Sequence, residues 1–191
     1  MSEEPVPPTI NPSATIAPTA VIGTAPVGVP AWTLPPAVVE GDTHIGDHTI
    51  VHAAAIIRAS ARVDTNCTIG ARAEVKARAV IGPGCHVGGE AVIGEGAVLG
   101  GGCVIGEECA VGTGASLGPG VIVLALPRLP PRKSKVLPGM MGADARIGGG
   151  AVVCGGVRLG KSAIVAAGEV VEDDVPDNGV YMSGRVSGNF G

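Results

Sequence analysis

From Ile45 to Val123 every sixth residue is a branched aliphatic, fourteen positions without a break. The series opens Ile45, Val51, Ile57, Val63 and closes Ile105, Val111, Leu117, Val123. A second rule runs in phase with it. Four places after each aliphatic the residue is nearly always small, as in Thr49, Ala55, Cys67, Ala73, Cys85 and Ala91. The residue directly after the aliphatic is often Gly. A period of six is neither 3.6 nor 2, so a helix and a simple strand both fail. It predicts a coil of short strands joined by tight corners. The aliphatic points inward from the middle of a strand, and alternation turns the small residue two places earlier inward as well. The corners lie between strands, where Gly adopts positive φ without steric cost.

Outside this run the pattern breaks twice. Ile10, Ile16 and Ile22 keep the period, with Ala14 and Ala20 in the small position, and predict one opening turn after a polar, Pro-rich arm at 1–9. A Pro-rich stretch at about 24–38, with Trp32, loses the phase and predicts an external loop, because a buried loop would strand its backbone polar groups. The period stops again after Val123. Residues at about 124–140 hold prolines together with Arg128, Arg132, Lys133 and Lys135, and predict a second external loop. Met141, Ile147, Val153, Leu159, Val165 and Val171 then restore the period. The step of 18 from Val123 to Met141 reads as one full turn, with the loop leaving and re-entering the prism at the same edge. This gives a flexible arm at 1–9, a single domain at 10–175 and a C-terminal tail at 176–191.

Hydrophobic residues make up 46% of the chain and aromatics only 2%, which suits a thin prism filled by aliphatic side chains. The net charge is −4 and no basic run is long enough to suggest nucleic acid. The longest apolar run, Val121 to Leu126, is far short of the roughly 20 residues that span a bilayer. The acidic, Pro-rich start is unlike a secretion signal, so the expected location is the cytoplasm. Cys67, Cys85 and Cys103 stand 18 apart and predict one inward column of reduced thiols.

The hexads as they stand, for example Ile81-Gly-Pro-Gly-Cys-His and Ile93-Gly-Glu-Gly-Ala-Val, resemble those of the hexapeptide-repeat acyltransferases. The resemblance implies an all-β fold, a left-handed parallel β-helix with three hexads per triangular turn. The left hand comes from the resemblance; general crossover physics favours the right. Pro-Thr-Ala-Val-Ile-Gly at 18–23 resembles the opening of many sugar acyltransferase prisms. In the C-terminal third, a Pro-Arg loop is followed by Gly142-Ala-Asp-Ala-Arg-Ile-Gly, Val152-Val-Cys-Gly-Gly-Val-Arg-Leu-Gly, Ala166-Ala-Gly-Glu-Val-Val and Asp174-Val-Pro-Asp. That order, over about residues 115–185, is similar to the nucleotide-amino-sugar N-acetyltransferases. One departure is Ser183-Gly-Arg-Val, where the family usually carries Gly-Asn-Pro-Ala. The resemblance implies acetyl-CoA or another acyl-CoA as co-substrate, an amino-sugar acceptor and a homotrimer with sites in the clefts between subunits.

Residues flanking each inward aliphatic point outward, so faces follow from position modulo 18. One face displays His52, Thr68, His86, Val104 and Ile122, and the 124–140 loop springs from it. A second displays Ile56, Arg58, Glu74, Lys76 and Val92; a third displays His44, Arg62, Asp64, Val80, Val98 and Ser116. Outward Val80, Val92, Val98 and Val104 point to contacts between prisms. His86 is the first candidate general base for acyl transfer and His52 the second; the plain alternative for His86 is a subunit contact. Glu74, Asp64 and Asn66 are candidates to hold the acceptor, or are simply interface hydrogen-bonding groups. Arg128, Arg132 and Lys133 suit the phosphates of CoA, as do Lys161 and Arg185. Gly148, Ala166 and Ala167 are small positions where the resemblance implies the pantetheine arm approaches the backbone. Three other functions remain open: an O-acyltransferase, a non-catalytic scaffold, and a carbonic-anhydrase-like metal enzyme. The last needs three His ligands. Only His52 and His86 share a face, about 10 Å apart by strand spacing, so no metal is expected.

Overall fold

The computed structural model describes residues 8–16, 18, 20–24, 35–125 and 139–187. Most of the 1–9 arm and of both expected external loops, including Arg128, Arg132 and Lys133, therefore lies outside the described residues. Every regular element among the described residues is a strand, most of them two residues long. The strands assemble into three sheets of eight, ten and eight, here called A, B and C. The chain visits A, B and C in turn and then returns to A. Through Val152–Val153 each strand pairs in parallel with the strand three further on, as Glu74↔Val92, Val80↔Val98 and His86↔Val104 show. One coil is thus 18 residues, and the architecture is the left-handed parallel β-helix that the resemblance implies.

The interior is the six-residue series itself. Ile45, Ile57, Ile69, Ile93 and Ile105 are fully buried, and the small positions Ala55, Ala73, Ala91 and Ala115 close the space between them. Each large aliphatic contributes roughly 1.5–3 kcal/mol by leaving water. The residue before each aliphatic faces outward, so the three outer columns agree with the sequence count up to Val123.

The corners differ in detail from the glycine expectation. The left-handed residue is the third after the aliphatic, and it is often not Gly: φ is 55° at Asp42, 57° at Asn66 and 58° at Asp144. Asn and Asp tolerate this region better than most side chains. The glycine directly after the aliphatic has another reason. A Cβ built on Gly88 would lie 2.6 Å from the backbone N of Glu107 in the next coil. Close approach of successive coils, not positive φ, selects Gly there.

The cysteine column is a hydrogen-bonded spine. At the corner from B to C the small position is filled by Thr49, Cys67, Cys85 and Cys103. Thr49 Oγ1 donates to the Asp64 carbonyl at 2.7 Å and accepts from Cys67 N–H at 3.3 Å. The thiols of Cys67, Cys85 and Cys103 donate to the carbonyls of Gly82, Gly100 and Gly118 at 3.1–3.2 Å. The Cys85 and Cys103 N–H groups in turn bond to the sulfurs of Cys67 and Cys85. The flanking thiols, Cys103 first, and burial push the middle thiol, Cys85, up and hold it protonated. All five cysteines are free.

The second loop does not take up a turn of the prism. Val123 lies on sheet C and Met141 on sheet A, 18 positions apart where Ile105 and Val111 make the same passage in 6. The segment expands one C-to-A corner by two hexads, and Met140 pairs directly with Ala110. The chain does leave and return at one prism edge, but every position after the loop stands 12 out of step with a count of 18.

The stretch read as a C-terminal tail carries structure. Val180–Met182 adds to sheet B in parallel, and Arg185–Ser187 folds back on it antiparallel. Tyr181 donates its hydroxyl proton to the Val170 carbonyl at 3.0 Å. The Glu169 carboxylate accepts from Ser183 N–H at 2.8 Å and Gly184 N–H at 3.1 Å, which pins the hairpin turn.

Ion pairs run along the outside from coil to coil. On face A the Arg58 guanidinium bridges Glu40 at 2.8 Å and Glu74 at 3.0 Å. Arg72 pairs with Glu90 at 3.0 Å, and Arg78 with Glu95. Arg58 beside it, and then the Ala59 N–H, hold the Glu40 carboxyl below its usual range.

Two predictions follow from the spine and the ladder of charges. Cys85→Ala removes a thiol donor and leaves the Cys103 N–H and Gly100 carbonyl without their partner, so denaturant unfolding should show a loss of about 1–2 kcal/mol. Cys85→Ser should recover most of it, and an equal loss for both variants would contradict the spine. The second concerns Glu40. A depressed carboxylate stabilises the fold above its ordinary value of 4.5 and loses that contribution as pH falls through the lower folded value. Glu40→Gln should therefore lower Tm at about pH 6 and narrow the gap between about pH 6 and about pH 3. An unchanged gap would remove Glu40 from the acid response.

Candidate functional site

His86 owes its exposure to strand alternation. Its neighbour Val87 is fully buried, so the imidazole stands on the outside of face C, while the backbone N–H of His86 donates to the Cys103 carbonyl at 2.8 Å. Its strand neighbours are Thr68 and Val104. The outer column runs through Val21, Ile50, Thr68, His86, Val104, Ile122, Val152 and Val170, with Thr68 and His86 its polar members. Beside that column Gly70, Gly88 and Gly106 follow the inward aliphatics and carry no side chain. The imidazole thus rises from an apolar wall next to a smooth strip, and makes no ion pair among the described residues. It sits two coils before the Ile122–Val123 strand from which the second loop departs.

His52 lies on the same sheet two coils earlier, but Ile50 holds the place in register with His86. His52 follows Val51 and belongs to the column of Gly70 and Gly88, half-buried at the corner. The two imidazoles share a face and not a column. Among the described residues no three His, Cys, Asp or Glu side chains group as metal ligands, and no helix is long and apolar enough to cross a membrane.

The acceptor candidates divide. Glu74 is on face A and engaged with Arg58. Asp64 and Asn66 share the exposed corner that leads into Thr68, the strand neighbour of His86. Asp64 Oδ1 accepts from the Thr65 N–H at 2.7 Å, and Asn66 is the left-handed corner residue. Corner chemistry accounts for both residue types.

The cofactor candidates within the described residues gather at the C-terminal coils. Gly148 and Ala166 occupy equivalent corner positions one coil apart: a Cβ on Gly148 would lie 2.6 Å from the Ala167 Cα. Gly148, Ala166 and Ala167 therefore form one continuous small-residue edge where B turns into C. Lys161 stands at the opposite corner of the same strand, with its backbone N–H bonded to Asp177 Oδ1 at 2.7 Å. Arg185 is exposed in the terminal hairpin of sheet B. Face B also holds a hollow of about 560 Å³, lined by Gly114, Ser116, Gly118, Arg146, Ile147, Gly148, Ile164 and Val165. Ser116 had been placed outward on the third face without a role, and Arg146 and Ile164 had not been singled out from sequence. Their signal was the outward position before each aliphatic, hidden after the loop by the shift of 12.

Residues 72–107 match the family model described as bacterial transferase hexapeptide (six repeats). No curated protein matches the chain in sequence. Among solved structures, the polySia-specific acetyltransferase NeuO is 12% identical over 95% of this chain and 81% of its own, with a TM-score of 0.51. The acetyltransferase domain of PglB from Neisseria gonorrhoeae, in complex with acetyl coenzyme A, is 20% identical over 93% of this chain and 55% of its own, with a TM-score of 0.37. PerB from Caulobacter crescentus, in complex with CoA and GDP-perosamine, is 22% identical over 95% and 58%, with a TM-score of 0.33. The chain thus spans little more than half the length of PglB's domain and of PerB, and at these identities the likeness is one of fold. Its central coils carry the bacterial transferase hexapeptide repeat, and the described residues fold as a left-handed parallel β-helix.

Proposed function

We propose that the protein is an acyl-CoA-dependent acyltransferase that moves an acyl group, acetyl in the first instance, onto the amine of an amino sugar. The reaction takes place in clefts between three copies of the chain, in the cytoplasm, where its five free cysteines stay reduced. The observation that carries the acyltransferase reading, whichever the acceptor, is His86, an exposed imidazole on an apolar column beside a strip without side chains, in a prism built of transferase-type repeats. The exposed aliphatics Val80, Val98, Val104 and Val170 support burial against neighbouring copies. The Gly148–Ala166–Ala167 edge fits an extended pantetheine arm, and Lys161, Arg185 and the loop residues Arg128, Arg132 and Lys133 supply cations for its phosphates.

The chemistry balances without a further reactant. The acceptor nitrogen attacks the thioester carbonyl, the C–N bond forms and the C–S bond breaks. The proton that leaves the nitrogen passes through an imidazole nitrogen of His86 to the departing thiolate. A hydroxyl acceptor is the second reading, favoured by His86 itself. A hydroxyl must lose its proton to attack, whereas an amine that arrives uncharged needs no base.

The direct test is CoA release from acetyl-CoA against a panel of amino sugars, free and nucleotide-linked, with sedimentation on the same sample. About three chains per particle and turnover with at least one amino sugar are expected. A stable monomer at micromolar concentration would sink the between-subunit site, and no CoA release with any acceptor would favour a scaffold.

Replacing His86 by Ala should lower kcat by roughly 10²–10⁴-fold and leave donor affinity nearly unchanged, because a base acts mainly in the transition state. His52→Ala should cost far less. A His86→Ala protein that stays trimeric and keeps activity within about threefold removes His86 from the chemistry. Catalysis would then rest on positioning an uncharged amine.

A further inference from the structure

The prism is left open at its first coil. Ile10 is 41% exposed, whereas Val39 and Ile57, which follow it on sheet A, are buried. Ile16 and Ile22 are only partly packed. Backbone groups are left over as well. The N–H groups of Thr9, Asn11 and Thr15 donate to the second coil, at the carbonyls of Ala37, Val39 and Thr43. Strand alternation turns the N–H and C=O of Ile10 and Ile16 the other way, to a side where sheets A and B have no further strand. On sheet C the outermost strand, Val21–Thr24, has a register shift between Ile22 and Thr24, which spoils it as an edge.

Free edges are ordinarily guarded by charge or by Pro. Residues 5–39 contain no charged residue and no His, and the next such run, 109–127, is about half as long. Pro12 and Pro18 guard nothing, because they stand two places after the aliphatic, as Pro83 and Pro119 do inside the prism. Nor does the sequence upstream continue the coil. Six places before Ile10 stands Glu4, a charge where the core needs an aliphatic.

We infer that this end is a self-association surface, on which two copies of the chain meet end to end. A two-fold axis through the bulged side sets sheet A of one copy over sheet B of the other and reverses the sense in which the chain circles. The free edges of Thr9–Ile10 and Thr15–Ile16 then meet antiparallel, and the half-open aliphatics of the two copies cover one another. In a contact of this symmetry, residues near the axis face their own counterparts, so a charge would face a like charge; this end has none. One end is small. Its sides are one hexad, at most roughly 20 Å, so it presents under about 200 Å². Three prisms side by side present three such ends, about 600 Å² per particle, which is at the low end for a specific contact. The strength of the contact therefore rests on the three-chain reading, and the association of two such particles is weak.

The test follows particle mass by sedimentation from about 1 µM to about 500 µM, a range suited to a contact of this size. The wild-type mass should double across it, from three chains to six, and the Ile10 and Ile16 amides should exchange more slowly at the upper end. Thr9 and Thr15 are exposed, so charges there do not enter the core. Thr9→Glu with Thr15→Glu, and Thr9→Lys with Thr15→Lys, should each stay at three chains with an unchanged Tm. An equal mixture of the two double variants should double in mass again, since opposite charges then face each other. A wild-type mass that stays constant overturns the end contact and leaves the three-chain reading intact. A constant mass with both amides already protected at the lowest concentration assigns the end to other residues of the same chain and overturns it equally. Doubling that both charged variants retain places the contact elsewhere and also overturns it. A wild type that starts as a single chain removes the three-chain reading. The end surface then survives only if the mass still doubles and the charge pairs still govern the doubling.

Discussion

The spacing between successive coils governs this molecule. Parallel strands lie about 4.8 Å apart, and three of them must close a triangle around an interior one side chain wide. Each side of a coil can then bury one aliphatic and one small residue, as Ile93 and Ala91 do. A phenyl ring has no place in it, so the aromatic content is small and Tyr181 is buried only where the prism ends. The same spacing dictates the glycines after the aliphatics and lets the Thr49–Cys103 side chains reach a carbonyl in the coil above. With the interior fully determined, the outward residue before each aliphatic is the place where the sequence is free to vary. His86, Glu74, Ser116 and Arg146 all occupy that position.

This explains what could be read without coordinates. The inward series is under steric constraint at every step, so the coil of short strands was legible from the period alone, while its left hand and its three faces came from the resemblance. His86 was legible because it stands before Val87 in an unbroken count. Glu74 was legible as outward, but its pairing with Arg58 depends on two side chains meeting across a coil, which no count reveals. Asn66 looked like a polar group available to a ligand; its left-handed φ of 57° shows the backbone reason for it. Arg146 was obscured by arithmetic. Steps of 18 from Ile56 arrive at Arg146 and assign it to face A, whereas the expanded corner delivers it to face B beside Ser116.

That corner also shows what an insertion in such a fold must satisfy. The ladder ties each residue to one in the next coil, so an insertion that moved a strand out of its sheet would undo every later pairing. Expansion at the passage from C to A leaves both flanking strands in their sheets, and Met140 pairs with Ala110 as though nothing intervened. The strands that flank the expansion, Ile122–Val123 on sheet C and Met140–Met141 on sheet A, keep their partners, and the core beneath continues.

The two ends of the prism are treated differently. At the C-terminal end the chain reverses direction, and the antiparallel strand Arg185–Ser187 closes sheet B against further parallel addition. Glu169 fixes that reversal with two backbone N–H bonds, and Tyr181 seals the core beneath it. At the other end the first coil is thinly covered, with Ile10 exposed and Ile16 and Ile22 only partly packed. The hollow with Arg146 and the Gly148–Ala166 edge lie toward the braced end, in coils locked from both sides by the ladder and the hairpin. His86 stands nearer the middle of the prism on sheet C, where its parallel neighbours Thr68 and Val104 fix its strand from both sides. The axial place of each outward side chain is therefore set by the number of coils between it and the braced end.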